Sequence, residues 1–524
     1  MPDSITSPPK KESQNAAAKA DSPVTELTNV YAVYGVEPEV QAYAMAKYSR
    51  SALSMKESLR EINEQKAKKF LNTFYFQYGH RSIADLAHIA FAIERLSILA
   101  AIALVDEQRW DGQERSTRYQ DFKKSGYHLP PFGGEAERKY KATIEFLFRE
   151  YEAISEDMWR YLAAATPKPA EMKQEAYERT LRARAFDISR YLLPLATNTS
   201  LGQIVNARTL ESQIARLLSH PQAEVRRLGE LLKRAAREPA MNVNYESWRR
   251  LVDDIGQLDP ALRERAAREL LKEVRVAPTL VKYAEANPYE METRRELRQA
   301  AAELMKGAAI AHSASVELLE DDALEIELAT TLLYQHCHFS YRQIRQAVNA
   351  AGEKRRAEII DIGLRHRGKH DELLRPFSAG QSFRFDILMD IGGFRDMHRH
   401  RRCVQIGQGF TTAHGYDTPA EIAASGLGER YAAAMRRAAE MAAELGAEDN
   451  GQYLIPLGYR KRTLFKMDFA EAVYISELRT TPAGHYSYRK VAYEIYEAVA
   501  KRHPAMAKYF RVHDVREPVD LLNR

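Results

Sequence analysis

Cysteine is nearly absent. Two residues in 524, Cys337 and Cys403, cannot build a disulfide framework and lack the paired spacing of a zinc site. A reducing, cytoplasmic location is expected. No uninterrupted run of about eighteen apolar residues occurs. The best candidate, Leu96 to Val105, is too short to span a bilayer, so no membrane association is expected. No glycine-rich dinucleotide fingerprint is present. One charge sign does not dominate either: 77 Lys and Arg against 72 Asp and Glu leave +5. At this length that does not argue for nucleic acid, and local arginine clusters carry more information. The N-terminus, rich in Ser, Pro, Ala and Lys, lacks the apolar core of a signal peptide and reads as a disordered tail over residues 1–25.

What is present suits two or more domains: 45% of residues are hydrophobic, enough for substantial cores. The two halves read as diverged copies. Glu39, Tyr48, His80-Arg81 and Asp85 find counterparts in Glu325, Tyr334, His366-Arg367 and Asp371, and 325 − 39, 334 − 48, 366 − 80 and 371 − 85 all equal 286. The order of elements repeats as well: a strand-like run, a helix, a charged tip and a later Arg-Thr pair. Those pairs are Asn206-Ala207-Arg208-Thr209 and Glu477-Leu478-Arg479-Thr480. Phe383, Phe385, Ile387 and Met389 alternate with Arg384, Asp386 and Leu388, the period of a strand; Ile89, Phe91 and Ile93 do the same. Glu224 to Arg237 and Glu429 to Leu445 read as amphipathic helices. Residues 240–312 are charged and mostly helical, a connector or interface arm, with Asp259-Pro260 as a helix start. The expected class is α+β: halves 26–239 and 313–524, each a mixed or antiparallel sheet with helices, joined by that connector.

Two arginine motifs stand out. Glu114-Arg115-Ser116-Thr117-Arg118-Tyr119 lies in the first half, and Arg399-His400-Arg401, extended by His398 and Arg402, in the second. Guanidinium groups bind a phosphate dianion through paired, charge-assisted hydrogen bonds that Lys matches poorly. A lone Arg in so Arg-rich a chain is ordinarily solvated or paired at the surface, and a dense tip can be a basic patch.

Together the motifs resemble the flavin-dependent thymidylate synthases, where Arg-His-Arg, seven residues and Ser-x-Arg-Tyr stand on one segment. Here the Arg-His-Arg slot before Ser116 holds Asp106-Glu107-Gln108, and the serine slot after Arg401 holds Gly409. Each half lacks what the other keeps. The first half resembles the family from about Tyr48 to Arg226. The matching segments are Tyr78-Gly79-His80-Arg81-Ser82, Ser116 to Tyr119, Arg190-Tyr191-Leu192-Leu193-Pro194, Asn206 to Leu210, and Arg216 through Ser219-His220 to Glu224.

The resemblance implies that Glu114, Ser116, Arg118 and Arg190 bind dUMP. It makes Arg216 the catalytic arginine facing the uracil ring, where it favours the ionised form. It assigns Arg399, His400, Arg401, Asn206, Arg208, His220, Ser82 and Ser49 to flavin, with Arg399 also approaching the substrate. Arg479 and His485 are flavin-side remnants. FAD is the implied cofactor, NADPH and methylenetetrahydrofolate the co-substrates, and dTMP the product. That route needs no cysteine nucleophile, which agrees with this composition. Family members are homotetramers, so a homodimer of a duplicated chain would mimic them, the flavin tip of the second half facing the nucleotide pocket of the first. Two other readings are a relative that binds flavin or nucleotide without methylation, and a basic nucleic-acid-binding protein. Under the first reading Arg118→Ala and Arg399→Ala each abolish activity, and two fully active single variants contradict it.

Overall fold

The same alternation of apolar and polar residues builds two antiparallel sheets. The computed structural model describes residues 35–47, 81–123, 125–319, 324–366, 368, 374–377, 383–446, 449–507, 510–520 and 522. Glu37–Arg524 forms one compact unit. In the first sheet β1 (His88–Ser97) and β2 (Asp111–Glu114) flank β3 (Asn198–Asn206). In the second, β4 (Val316–Leu318) adds to β5 (Phe383–Asp390), and β5 and β6 (Val404–Gly407) flank β7 (Arg460–Met467). The orders β1-β3-β2 and β4-β5-β7-β6 share one three-stranded motif, with the last strand of each half at its centre.

The helices repeat too. In the first half, α1 (Pro38–Lys47) precedes the sheet and α2 (Ile98–Leu104) leaves β1 directly. The long α3 (Gly134–Ala165) and α4 (Gln174–Ser189) follow β2, and α5 (Ala207–Leu218) and α6 (Ala223–Arg237) follow β3. The connector holds α7 (Tyr245–Leu258), α8 (Pro260–Leu270) and α9 (Pro288–Leu304). Asp259 caps α8 as its sequence suggests, accepting from Ala261 and Leu262 N–H, with Pro260 in the first turn. The second half has α10 (Leu324–Tyr334), α11 (Tyr341–Ala350) and α12 (Gly352–Leu364) before β5. Then come α13 (Ile391–Met397), α14 (Gly428–Glu444), α15 (Phe469–Arg479) and α16 (Tyr486–Arg502). Among the described residues no helix is long and apolar enough to cross a membrane, and Leu96 to Val105 is the buried passage from β1 into α2.

Capping residues fix the register between the halves. Ser97 caps α2 and Asp390 caps α13, each accepting a backbone N–H of the first turn. Both 390 − 97 and 404 − 111 equal 293, so β2 and β6 align, and Asp106-Glu107-Gln108 stands where the second half has Arg399-His400-Arg401. A second contact repeats with its partners exchanged. Ser97 Oγ donates to Glu224, the second residue of α6, at 2.6 Å; Ser487, the second residue of α16, donates to Asp390. Asn206 caps α5 and Asp468 caps α15. This register corrects one pairing read from the sequence: Arg208 lies in the first turn of α5, whereas Arg479 is the last residue of α15. Of the four proposed pairs, Glu39 and Glu325 fall in the first turns of α1 and α10, and Tyr48, His80, Arg367 and Asp371 lie outside the described residues.

A backbone bridge joins the halves. Leu195 N–H donates to Ile455 C=O and Leu457 N–H to Leu193 C=O, both at 3.0 Å. Ala196 and Gly458 extend the pairing to Tyr453 and Tyr191. Pro194 and Pro456 face each other at its centre, where no N–H is required, so two prolines fit without losing a bond. One core runs through both halves, including Leu193 and Leu195 with Phe385, Ile455 and Leu457; a smaller one lies under α9 to α12.

Ser97→Ala removes both the cap of α2 and the donor to partly buried Glu224. We expect a loss of about 1–3 kcal/mol in urea unfolding; an unchanged midpoint contradicts the shared role of this hydroxyl.

Candidate functional site

Where β2 ends, the chain turns through Ser116 and Arg118, and where α4 ends, a tight turn carries Arg190 immediately before the bridge to the second half. Asp187, one helical turn earlier, lies between the two arginines: Arg118 Nε donates to its carboxylate at 3.2 Å, and Arg190 Nε stands 3.5 Å away. The second half closes over this cluster. Tyr488 OH and the Ala483 carbonyl accept from Arg118 at 3.0 and 3.1 Å. Arg395 donates to Glu114 and to Thr117 Oγ1, and Asp396 lies 3.7 Å from Arg190 Nη1. Ser116 Oγ accepts from the Arg118 backbone N–H at 3.2 Å. Arg118 and Arg479 flank the Tyr488 ring at 5.6 and 5.5 Å from its centre. Glu114, Ser116, Arg118 and Arg190 are therefore brought together, as the sequence suggests, but between the halves.

This cluster is under-satisfied. Arg190 is 2% exposed, yet among the described residues its Nε and Nη2 have no hydrogen-bond partner, and neither do Arg395 Nε, Asp396 Oδ2 and His485 Nε2. Each such group costs about 1–3 kcal/mol if left unpaired. Guanidinium N–H groups in this arrangement suit phosphoryl oxygens, and the carboxylate suits an N–H or O–H. His485 lies 3.7 Å from Asp187 but stays neutral: burial, with Arg190 and Arg118 beside it, pushes its pKa well below the usual range.

A second cluster forms around the acidic tip of the first half. Arg375 donates to Asp106 through its carboxylate and, at 2.9 Å, its carbonyl, and His398 Nε2 lies 3.6 Å from the carboxylate. Arg216 Nε donates to Glu107 at 2.9 Å, and its Nη groups reach the Ala103 and Leu104 carbonyls. Arg401 donates to the Val105 carbonyl and lies 5.0 Å over Trp110. Trp110 in turn rests on Gly112, where a Cβ would come within 2.6 Å of the ring. Burial raises the Asp106 pKa, but Arg375, His398 and Arg216 outweigh it and hold the carboxyl well below the usual range. A recess of about 230 Å³ lies here, lined by Asp106, Glu107, Arg375, His398 and Arg401 among others.

The two clusters are related by the duplication. Arg216 Nε donates to Glu107, and Arg479 Nε donates to His400 Nε2 at 2.8 Å. Glu107 and His400 are the middle residues of the equivalent tips, so Arg479 is the counterpart of Arg216. Arg479, not Arg216, shares Tyr488 with Arg118. Arg216 and Arg401 belong to the second cluster. Arg399 is exposed and has no hydrogen bond or ion pair among the described residues. Asn206 is spent on its cap, Arg208 pairs with Asp85 at 3.2 Å, and His220 Nδ1 accepts from Gln222 N–H at 3.1 Å. Ser49 and the Ser82 side chain lie outside the described residues. Asp187, Arg395, Asp396 and Tyr488 were missed; the only local signal is the one-turn spacing of Asp187 to Arg190 and of Arg395-Asp396 to the tip.

Burial is the main cause that holds His398 at about 4 and His220 at about 3, so both are neutral at pH 7. Their folded pKa values lie below the unfolded value of about 6.5. The stability they contribute is fully present above that pH and is lost as pH falls toward 4. The melting temperature should drop between pH 6.5 and 4, and His398→Gln should flatten the drop; a flat wild-type profile contradicts this.

The family model described as thymidylate synthase complementing protein matches residues 33–240 and 316–505. A UPF0159 protein of Chlamydia pneumoniae is 29% identical over 537 residues, covering 95% of this chain and 94% of that protein. A UPF0159 protein of Thermoplasma acidophilum is 26% identical, covering 90% of this chain and 94% of that protein. A flavin-dependent thymidylate synthase of Clostridium tetani is 25% identical over 211 residues, 40% of this chain and 82% of the relative. A solved flavin-dependent thymidylate synthase of Helicobacter pylori, complexed with FAD and dUMP, is 18% identical at a TM-score of 0.26, with 38% of this chain and 89% of that one covered. With family matches on two successive regions and one strand motif in both, the chain belongs to the thymidylate synthase complementing protein family, that of the flavin-dependent thymidylate synthases, as a tandem duplication.

Proposed function

We propose that the chain binds dUMP between its halves and forms dTMP as a flavin-dependent thymidylate synthase, with methylenetetrahydrofolate as carbon donor and NADPH as reductant. Residues 26–239 supply the nucleotide motifs, 313–524 the Arg-His-Arg tip, and 240–312 the connector; the setting is the cytoplasm. The observation that carries the reading is Arg190, buried beside Asp187 and Arg118, whose Nε and Nη2 make no hydrogen bond among the described residues. Arg118 and Arg190 hold the phosphate, Ser116 adds a hydroxyl, and Glu114 and Asp396 accept from the nucleoside. Arg479 takes the part that the resemblance gives to Arg216: a cation beside the pyrimidine stabilises negative charge on the ring.

The recess beside the tip offers FAD no phosphate site among the described residues. Its Asp106 and Glu107 carboxylates stand where a pyrophosphate needs cations. Arg399 alone of the tip points its charge outward without a partner among the described residues, and a second copy in a homodimer would have to complete that site. The same misfit favours a second reading, a relative that keeps nucleotide binding and has lost methylation.

Purified chain supplied with FAD, NADPH and methylenetetrahydrofolate should convert dUMP to dTMP and support growth of a thymidine auxotroph. Arg118→Ala and Arg479→Ala should each reduce turnover at least 100-fold, roughly the loss of one transition-state contact. Mixing them should restore nothing, because both arginines flank one chain's Tyr488. Binding of dUMP without product selects the second reading, and no binding overturns both.

A further inference from the structure

His485 enters the arginine cluster from the second half, and the duplication supplies a direct comparison for it. It is the N-cap of α16, as Gln222 is of α6, and 485 − 222 and 487 − 224 both equal 263. Gln222 closes a contact between the halves: its Nε2 donates to the Asp449 carbonyl at 3.1 Å. Asp449 stands three positions before Gln452, as Asp187 stands three before Arg190. His485 is aimed at Asp187 in the same way, but its Nε2 lies 3.7 Å from the carboxylate, too far for a hydrogen bond. Among the described residues that nitrogen has no hydrogen-bond partner. The cross-half donor is used where Gln452 stands and is unused where Arg190 stands.

The cap fixes which ring nitrogen carries the proton. Nδ1 accepts from the Ser487 backbone N–H at 3.3 Å, so it bears none. Burial, with Arg190, Arg118 and Arg184 nearby, outweighs Asp187 and keeps the ring neutral. Its single proton is therefore on Nε2, a donor on a residue 2% exposed. Arg118 Nε at 3.2 Å and Arg190 Nε at 3.5 Å converge on the same Asp187 oxygen, and of the three N–H groups only that of Arg118 bonds it. Gly392 stands beside Arg190 Nε, where a Cβ would come within 3.5 Å, so no side chain of that residue fills the space.

We propose that His485, through Nε2–H, joins Arg190 as a donor to the phosphoryl group of the bound nucleotide. A phosphoryl group offers several oxygens to N–H groups that one carboxylate oxygen cannot satisfy together. A neutral imidazole adds a donor without adding a fourth cation to Arg118, Arg190 and Arg395. The resemblance sets His485 on the flavin side; this assignment moves it to the nucleotide. It rests on the reading that the arginine pocket holds dUMP.

The test uses the full-length protein with its histidines labelled with nitrogen-15. His485→Asn keeps a capping oxygen for α16 but is too short to carry a donor to the cluster. The imidazole signal missing from that variant identifies His485, and it should show the proton on Nε2. Adding dUMP should shift this Nε2–H signal, and inorganic phosphate at saturation should shift it too. The variant should melt as the wild type does and bind dUMP at least about tenfold more weakly, the loss of one hydrogen bond to a charged group. A proton on Nδ1, a signal unmoved while dUMP binds, a shift with dUMP but none with phosphate, or full affinity in the variant would each overturn the proposal and leave the nucleotide reading standing. A wild type that binds no dUMP would overturn both.

Discussion

The backbone bridge centred on Pro194 and Pro456 is the constraint on which the rest depends. It sets two copies of one unit face to face, and it does so next to buried Arg190. Arg190 stands one position before the first bridging strand, and Gln452 holds the same position before the second. Whatever Arg190 binds is therefore bounded by the opposite half. Asp396, Ala483 and Tyr488 reach the first-half arginines, and Arg395 reaches Thr117 and Glu114, because the bridge holds the halves in that register.

Duplication inside one chain removes the symmetry that identical subunits impose. A homo-oligomer must keep every motif in every copy, whereas a tandem pair can exchange partners one contact at a time. Ser97 with Glu224 and Asp390 with Ser487 keep one hydrogen bond with donor and acceptor exchanged. Glu107 with Arg216 and His400 with Arg479 keep one geometry with a different charge. At the second cluster the exchange goes further: Asp106 and Glu107 supply from within the chain the negative charge that Arg375 and Arg216 would otherwise take from a ligand. These pairs are half-buried, so breaking one leaves a charge that water reaches only in part.

Much of this was legible in the sequence because it rests on local rules. Alternation gave β1 and β5, the Asp259-Pro260 cap gave the start of α8, and counting back from Ser116 located the acidic tip. The register of the second half was not legible. Arg-Thr pairs at 208–209 and 479–480 look alike, yet a two-letter match carries no geometric constraint. The true marker is Asn206 against Asp468, two different residues with the same capping role. The second-half partners of Arg118 and Arg190 were also hidden, since they lie hundreds of positions away and only the bridge brings them close.

The central claim is one nucleotide pocket per chain, built from both halves. Isothermal titration with dUMP tests it most directly. The account predicts one site per chain, lost in Arg190→Gln, which copies the second half's own Gln452, and weakened at least tenfold in Arg395→Gln. Two sites per chain, or full affinity in the Arg395 variant, would contradict it.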